Sequence, residues 1–200
     1  MHRIAAIVLA VATCSSGGDA KPTAEAARPE RTDVIRRGNG DPLTLVGKTL
    51  EIGDPMPDVT LADDKLQPIK LASLKGKVIV LSVVPSIDTR VCEIQTHKVS
   101  DSIAQLPEGV EVFTVSRDLP YAQTRFKEEA QSKTQFGSDF RERDFGRGFG
   151  LDIKETGLLA RSVWVVGKDG KIAYREIVAN QGSEPDYAAM IFAAKQAAGG

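Results

Sequence analysis

Thiols and imidazoles are scarce in this chain. Its 200 residues include two cysteines, Cys14 and Cys92, and two histidines, His2 and His97. A dithiol–disulfide reductase needs a C-x-x-C pair, but Thr89 stands where the first thiol of a pair with Cys92 would be. A copper-delivery protein needs a C-x-x-x-C pair and a distal histidine. This chain has no such cysteine pair, and its only histidines are His2 and His97. Cys92 and His97 are five residues apart, which puts them on different faces of a helix, so we expect no metal site.

The chain also lacks an excess of charge of either sign. Its 26 basic and 27 acidic residues give a formal net charge of -1 at pH 7. This balance provides no general attraction to nucleic-acid phosphates or to anionic lipid. The composition, 42% hydrophobic and 26% charged, is ordinary for one well-buried globular domain. We therefore expect one domain and no nucleic-acid partner.

The first residues have the proportions of an export signal. After Arg3 comes an uncharged apolar run of about nine residues, which is too short to span a bilayer. We assign residues 1–13 to this signal. Its end, "VATCSSGG", resembles the lipobox of bacterial lipoproteins, in which the cysteine becomes the lipidated first residue, although Thr13 departs from the usual Gly, Ala or Ser. We expect a periplasmic protein with Cys14 as a lipidation site. The alternatives are simple cleavage of the signal and a signal retained as an anchor.

Export makes the isolation of Cys92 informative. Exported proteins commonly use their cysteines in pairs as disulfides. Lipidation or removal of Cys14 leaves Cys92 without a partner in its own chain. An unpaired thiol in an oxidising compartment must be buried or must owe its presence to its reactivity. Cys92 is therefore a structural thiol, a metal ligand or a nucleophile.

The chain divides into a tether and one folded domain. Residues 14–32 are rich in Ser, Gly, Ala, Glu, Lys and Pro without apolar periodicity, which predicts a flexible tether. The domain is expected over residues 33–200. It begins with two strand-like runs around the turn cluster at 38–42, "GNGDP", and this pattern predicts an N-terminal β-hairpin.

Strand and helix patterns alternate through the rest of the domain. The apolar β-branched run "KVIVLSVV", residues 77–84, is typical of a strand buried on both faces. The next segment, from Thr89 to Leu106, is expected to be a helix with an apolar face made of Val91, Ile94, Val99, Ile103 and Leu106. Further strands are expected in "MPDVTLADD", "VEVFTVS", "TQFGS" and the hairpin "RSVWVVGKDGKIAYREIV", and further helices in "YAQTRFKEEA" and "RERDFGRGFGLD".

A final helix closes the chain, with Ser183 as its expected N-cap and Asp186 at the capping-box distance. The resulting order, a hairpin followed by βαβαββα, predicts an α/β protein. A right-handed βαβ crossover followed by a hairpin and a helix is the thioredoxin-like arrangement, with a mixed central sheet flanked by helices.

Cys92 occupies a favourable position for chemistry in this fold. It follows the strand at 77–84 by one loop, and functional groups in open α/β sheets gather beyond the carboxyl ends of the strands. It also lies in the first turn of a helix, where unpaired N–H groups and the helix dipole favour a thiolate. Thr89 is an obvious N-cap and places a hydroxyl within reach of the sulfur. Pro85 fixes φ at the exit of the strand and stiffens the loop.

Pro85, Thr89 and Cys92 match the P-x-x-x-T-x-x-C motif of the peroxiredoxins. The longer stretch "PSIDTRVC" resembles the form of this motif in the thiol peroxidase subfamily. The segments "GNGDPLTLVG", "SRDLPYAQTRF", "GLLARSVWVV" and "EPDY" resemble the same subfamily. Together they extend from about Asp33 to the C-terminus, so the resemblance covers the whole predicted domain.

The resemblance implies a function and a set of site residues. Cys92 would attack hydrogen peroxide or an organic hydroperoxide, giving a sulfenic acid and an alcohol. The Thr89 hydroxyl and Arg161 would orient the peroxide oxygens. Arg161 would also favour the thiolate, since a guanidinium stays charged and presents several donors in one plane. The resemblance implies no cofactor, and it suggests a homodimer.

The chain departs from the subfamily at the second thiol. Thiol peroxidases usually carry a resolving cysteine in an S-R-F-C segment, whereas residues 124–127 here are T-R-F-K and Lys127 takes the place of that cysteine. Another peroxiredoxin branch has it five residues after the first cysteine, where this chain has His97. An external thiol, a thioredoxin-like protein or an intermolecular disulfide must then reduce the sulfenic acid. Cys14 on its tether is a less favoured route, and the absence of a nearby thiol predicts greater over-oxidation.

Less specific interpretations remain open at this point. Cys92 could be a buried structural thiol, Thr89 an N-cap only, and Arg161 a surface ion-pair residue, while Glu93 is expected to face solvent and Trp164 to pack in the core. The whole chain could be a non-catalytic thioredoxin-like module on a membrane tether that senses peroxide or binds a partner. Retention of Pro85, Thr89 and Arg161 together favours the enzyme, because a binding module has no need of that set.

Overall fold

The computed structural model describes residues 28–38 and 40–199. The predicted signal at 1–13, Cys14 and the tether as far as residue 27 lie outside the described residues. Within the described ranges, no helix combines the length and the apolar character needed to cross a bilayer.

The described chain forms ten strands and four α-helices. The strands are β1 Glu30–Arg36, β2 Pro42–Val46, β3 Thr60–Ala62, β4 Pro68–Lys70, β5 Ile79–Val83, β6 Glu111–Ser116, β7 Gln135–Ser138, β8 Asp152–Ile153, β9 Ser162–Val166 and β10 Ile172–Ile177. The helices are α1 Arg90–Ser102, α2 Pro120–Glu129, α3 Asp144–Phe149 and α4 Tyr187–Gly199, with 3₁₀ turns at Leu71–Leu74 and Ile103–Gln105.

The strands form a large mixed sheet and a small antiparallel one. The large sheet has the order β10-β9-β5-β6-β7-β3-β4, and the small sheet has the order β1-β2-β8. In the large sheet β5 pairs in parallel with β6 and antiparallel with β9. The predicted thioredoxin-like fold, with its mixed central sheet and N-terminal hairpin, is confirmed.

The core lies on both faces of β5, as the apolar run predicted. All five residues of β5 are buried, and neighbours in a strand point to opposite faces. Val80 packs in one cluster with Val99 of α1 and Met190 of α4. Leu81 packs in the other with Phe149 of α3, and the buried Trp164 belongs to this second cluster as expected. Each such side chain stabilises the fold by about 1.5–3 kcal/mol.

The N-terminal hairpin begins inside the predicted tether. Glu30 pairs with Val46 across β1 and β2, so the strand starts before the expected domain boundary at residue 33. Contacts to distant residues hold this start in place: Lys154 Nζ is 2.7 Å from Glu30 Oε1, and Arg31 Nη2 donates to Gly150 O. The polar composition of this stretch predicted a tether, because the charged side chains that hold the strand in place give no apolar pattern.

The last helix begins later than the sequence suggested. Ala189 N donates to Asp186 Oδ1 at 2.9 Å, which makes Asp186 the capping residue, and α4 begins at Tyr187. Ser183 lies in the preceding turn, where its N–H donates to Asn180 O, so its assignment as N-cap is wrong. Pro185 explains the delay, since a proline disfavours helical backbone in the residue before it.

Candidate active site

Cys92 lies in the first turn of α1 and has no exposed surface. Apolar side chains from three parts of the fold surround it: Val84 and Ile87 after β5, Phe136 of β7, and Ala122 and Phe126 of α2. Cys92 is a free cysteine in the described part of the chain. Burial alone would fit a structural thiol, so the polar groups that reach the sulfur decide between the interpretations.

Two hydrogen-bond donors converge on the Cys92 sulfur. Thr89 Oγ1 donates to Sγ at 2.9 Å, and Arg161 Nη2 donates to it at 3.2 Å. A neutral structural thiol needs neither a hydroxyl nor a cation at this distance. The arrangement instead suits an anionic sulfur or an oxygen bound beside it, because charge-assisted hydrogen bonds are the stronger ones.

The Thr89 side chain donates to the Cys92 sulfur and does not cap the helix. It occupies the N-cap position with extended backbone, φ -137° and ψ 142°, but its hydroxyl makes no hydrogen bond to a helix N–H. The hydroxyl is directed to Cys92 Sγ, with a longer contact of 3.4 Å to Ser86 O. The interpretation of Thr89 as an N-cap only is therefore wrong.

Arg161 is buried and not a surface ion-pair residue. Only 2% of the Arg161 surface is exposed. No carboxylate within residues 28–38 and 40–199 forms an ion pair with its guanidinium. Its guanidinium donates instead to neutral oxygens, with Nη1 2.7 Å from Gln95 Oε1 and Nε 3.0 Å from Gln181 O. No directly contacting carboxylate therefore neutralises the guanidinium, and its positive charge acts on the sulfur at a site where burial strengthens electrostatic interactions.

The buried face of α1 includes the polar residue Gln95 and differs from the apolar face that the sequence predicted. The helix buries Cys92, Gln95, Thr96 and Val99, whereas the predicted apolar residues Val91 and Ile94 are only half-buried. Gln95 Nε2 donates to Ser82 Oγ at 2.9 Å, so its amide links the centre of β5 to Arg161. Its i,i+3 spacing from Cys92 could have pointed to it; a search for apolar residues could not.

Asp118 fixes the loop that carries Pro85 and Thr89. Ser86 Oγ donates to Asp118 Oδ1 at 2.8 Å, and Ile87 N donates to Asp118 Oδ2 at 2.8 Å. Pro85 is half-buried directly after β5, in the loop position that the sequence predicted. Asp118 follows β6, the parallel neighbour of β5, so the two strand ends meet at one edge of the sheet. No local pattern identified Asp118, although it lies in the recognised segment "SRDLPYAQTRF".

Lys127 and His97, the two positions compared with resolving cysteines, are both exposed. Lys127 is exposed on α2, where it lines an open groove of about 670 Å³. His97 is exposed and lies 3.9 Å from Glu93, which faces solvent as predicted. Over residues 28–38 and 40–199, no three His, Cys, Asp or Glu side chains are grouped to bind a metal ion.

The "EPDY" segment forms a polar network beside the site. Lys98 Nζ lies 2.8 Å from Glu184 Oε2, and Tyr187 Oη donates to the same oxygen at 2.8 Å. The Lys98 hydrogen bond is the main cause that lowers the pKa of Glu184, and the charge of Arg161 lowers it further. Burial and the Glu184 carboxylate raise the pKa of Tyr187. These groups connect the beginning of α4 to α1.

Known proteins resemble both this sequence and this fold. The Redoxin family model matches residues 51–191. The chain is 45% identical over 157 residues to the thiol peroxidase of Bacillus subtilis, covering 78% of this chain and 93% of that one. It is 45% identical over 161 residues to the thiol peroxidase of Halalkalibacterium halodurans, covering 79% and 95%. The crystal structure of a peroxiredoxin-like protein from Aquifex aeolicus matches with a TM-score of 0.77 at 38% identity, covering 82% of this chain and 96% of that one.

A thioredoxin-like fold that holds one buried thiol between a threonine hydroxyl and an arginine defines a peroxiredoxin, an oxidoreductase that reduces peroxides with electrons from thiols. Within this class, the chain belongs to the Redoxin family and to its thiol peroxidase subfamily.

Proposed function

We propose that this protein reduces hydroperoxides in a one-cysteine cycle in which Cys92 is the nucleophile and an external thiol completes the turnover. The observation that carries the proposal is the convergence of Thr89 Oγ1 and Arg161 Nη2 on the buried Cys92 sulfur. The retained Pro85, Thr89 and Arg161 set supports it.

In the first half of the cycle the Cys92 thiolate attacks the terminal oxygen of ROOH. The S–O bond forms as the O–O bond breaks, and the leaving alkoxide takes up a proton to give ROH. Cys92 is oxidised by two electrons to the sulfenic acid. Thr89 and Arg161 are placed to donate to the peroxide oxygens, and Arg161 stabilises the negative charge as it moves onto the leaving oxygen.

In the second half an external thiol attacks the sulfenic sulfur. Water leaves, a mixed disulfide forms, and a second thiol releases Cys92 as the thiol together with the oxidised reductant. Cys92 is the only thiol in the described residues, and Cys14 falls within the predicted lipobox. Because the sulfur has no exposed surface, the loop at 85–89 or the first turn of α1 must move before a thiol can reach it.

The proposal also includes location and assembly. The lipobox-like "VATC" supports export to the periplasm with lipidation at Cys14, so a membrane would be contacted only through that lipid. A small-molecule thiol or a thioredoxin-like protein would act as the reductant. The subfamily resemblance supports a homodimer.

The test is peroxide consumption with dithiothreitol as reductant, in a Cys14→Ser background that removes the second thiol. We expect Cys92→Ser to abolish turnover and Arg161→Ala to slow it by at least about 10². If the parent protein consumed peroxide no faster than Cys92→Ser, the proposal would be wrong. Consumption that stopped at one peroxide per chain would instead indicate the non-catalytic sensor, and intact mass would then show a persistently oxidised Cys92.

A further inference from the structure

The segment at 178–181, which follows β10, contacts Arg161 at three of its polar atoms. Arg161 N donates to Gln181 Oε1 at 2.6 Å, and Arg161 Nε donates to Gln181 O at 3.0 Å. Arg161 O accepts from Val178 N at 3.0 Å. The arginine that faces the thiol is therefore held at its backbone and at its guanidinium by one short stretch of chain.

The Gln181 side chain also forms a hydrogen bond within this segment. Its Nε2 donates to Val178 O at 2.6 Å, while its Oε1 accepts from Arg161 N. The donor and the acceptor ends of one amide are thus both used, which leaves a single orientation of the side chain. This orientation brings the main-chain carbonyl of Gln181 to Arg161 Nε.

The N-terminal hairpin supports the segment from β1. Arg36 N donates to Ala179 O at 2.7 Å, and Gln181 N donates to Arg36 O at 2.9 Å. The main chain of Ala179 and of Gln181 itself is therefore fixed by hydrogen bonds to β1. Gln181 is half-buried in this position.

A guanidinium is a rigid plane, so fixing two of its nitrogens fixes the direction of the third. Gln95 accepts from Nη1 and the Gln181 carbonyl accepts from Nε, and this leaves Nη2 directed at Cys92 Sγ. We infer that Gln181 is a positioning residue for peroxide reduction, acting by holding the Arg161 guanidinium in the plane that faces the Cys92 sulfur. This inference rests on the proposed function of Cys92 and Arg161.

The test measures how fast peroxide oxidises Cys92 when no reductant is present. Reactions of the Cys14→Ser protein with hydrogen peroxide are stopped with catalase, which removes the remaining peroxide; the sulfenic acid is then labelled with dimedone and measured by intact mass. Gln181→Met keeps the length of the side chain and removes both of its hydrogen bonds, and we expect the second-order rate constant to fall roughly fivefold. Asn180→Ala is the matched control, because Asn180 is exposed in the same segment and, among the described residues, its side chain forms hydrogen bonds with Gly38 O and Gly182 N and none with Arg161. Its rate constant should be unchanged.

A double-mutant cycle separates positioning from general support of the fold. If Gln181 acts through the guanidinium, Gln181→Met should have no further effect on the oxidation rate in an Arg161→Lys background. An equal loss in both backgrounds, or no loss in the parent, would overturn the inference. If Gln181→Met does not fold, Gln181→Ala serves in the same cycle. Failure of the parent protein itself to oxidise at Cys92 would count against the proposed function, which distinguishes the two failures.

Discussion

Val83 and Ser162 are paired across the antiparallel strands β5 and β9, and this pairing brings the two halves of the site together. Val83 ends β5, so the chain leaves it toward Thr89 and Cys92. Ser162 begins β9, so the residue before it, Arg161, lies beside the same sheet edge. Residues that are 69 positions apart in sequence thereby come within 3.2 Å, from Arg161 Nη2 to Cys92 Sγ.

The Thr89 hydroxyl should matter for rate and hardly at all for helix stability. Removal of an active-site donor costs about 10²–10³ in rate, and we expect a loss of this size for Cys92 oxidation in Thr89→Val. Loss of a true side-chain cap would cost about 0.5–2 kcal/mol of unfolding free energy, but the Thr89 side chain caps nothing. Urea unfolding should therefore leave Thr89→Val within about 0.5 kcal/mol of the parent.

Thr89→Ser is the matched control, because it keeps the hydroxyl and should retain most of the rate. A large loss of stability in Thr89→Val, with little change in the oxidation rate, would restore the capping interpretation and remove the hydroxyl from the mechanism.

Asp118 should affect both stability and rate, because it holds the loop before Cys92. Asp118→Ala removes both acceptor oxygens, so Ile87 N and the Ser86 hydroxyl lose their side-chain partner. An unsatisfied buried donor costs about 1–3 kcal/mol, and we expect a loss of unfolding free energy toward the lower end of this range, with slower oxidation of Cys92. The measurements are urea unfolding and the reductant-free oxidation assay.

Asp88→Ala provides the comparison for Asp118→Ala, since Asp88 is exposed in the loop that Asp118 holds. It should leave stability and rate unchanged. Equal behaviour of the two variants would show that the Asp118 hydrogen bonds do not hold the loop.

These predictions depend on residues that the sequence revealed unevenly. Pro85, Thr89 and Cys92 could be found together because their spacing within one loop and one helical turn is local. Arg161 was found only through resemblance, since its contact with Cys92 depends on strand pairing. Gln95, Gln181 and Asp118 were missed because each acts through a hydrogen bond to a distant part of the chain, and such partners leave no periodic pattern.

The same limit explains the errors in the fold. The buried face of α1 is polar where it meets the site, so a search for apolar periodicity selected Val91 and Ile94 instead. Strands β4 and β8 have three and two residues, which is too short for strand alternation to emerge. The long apolar run of β5 was predicted correctly because its burial depends on composition alone.

The ion pair between Lys98 and Glu184 should give a small pH-dependent contribution to stability. Lys98 lowers the pKa of Glu184 in the folded protein, so its stabilising effect is present above the unfolded carboxyl pKa of about 4.3 and is lost as the pH falls through the folded value. We expect Lys98→Met to lower the unfolding free energy by about 0.2–1 kcal/mol at neutral pH, because both groups are partly exposed. The difference should shrink well below the unfolded carboxyl pKa.

Urea unfolding at neutral and acidic pH checks this expectation. Lys195→Met is the control, since Lys195 is exposed on α4 and forms no ion pair with any of the described residues. A difference between Lys98→Met and the parent that did not change with pH would assign the effect to the Lys98–Tyr187 ring contact, 5.5 Å from Nζ to the ring centroid, and not to Glu184.

A thiol placed at residue 127 should convert the one-cysteine cycle into an intramolecular one. Lys127 takes the position that the subfamily resemblance assigns to a resolving cysteine, and its neighbour Phe126 packs against the buried cluster that contains Cys92. In the Cys14→Ser, Lys127→Cys protein, one equivalent of peroxide should therefore produce a disulfide between residues 92 and 127, seen by intact mass as the loss of two hydrogen atoms. A disulfide needs Cα atoms about 4.4–6.8 Å apart, so the Cys92 loop and α2 must come within this separation. The Cys14→Ser, Glu128→Cys protein carries its thiol one position further along the exposed surface of α2 and should remain a sulfenic or sulfinic acid at Cys92. If both variants gave only over-oxidised Cys92 or disulfides between chains, residues 92 and 127 would not reach that separation, and a thiol at residue 127 would not be enough to supply the resolving step.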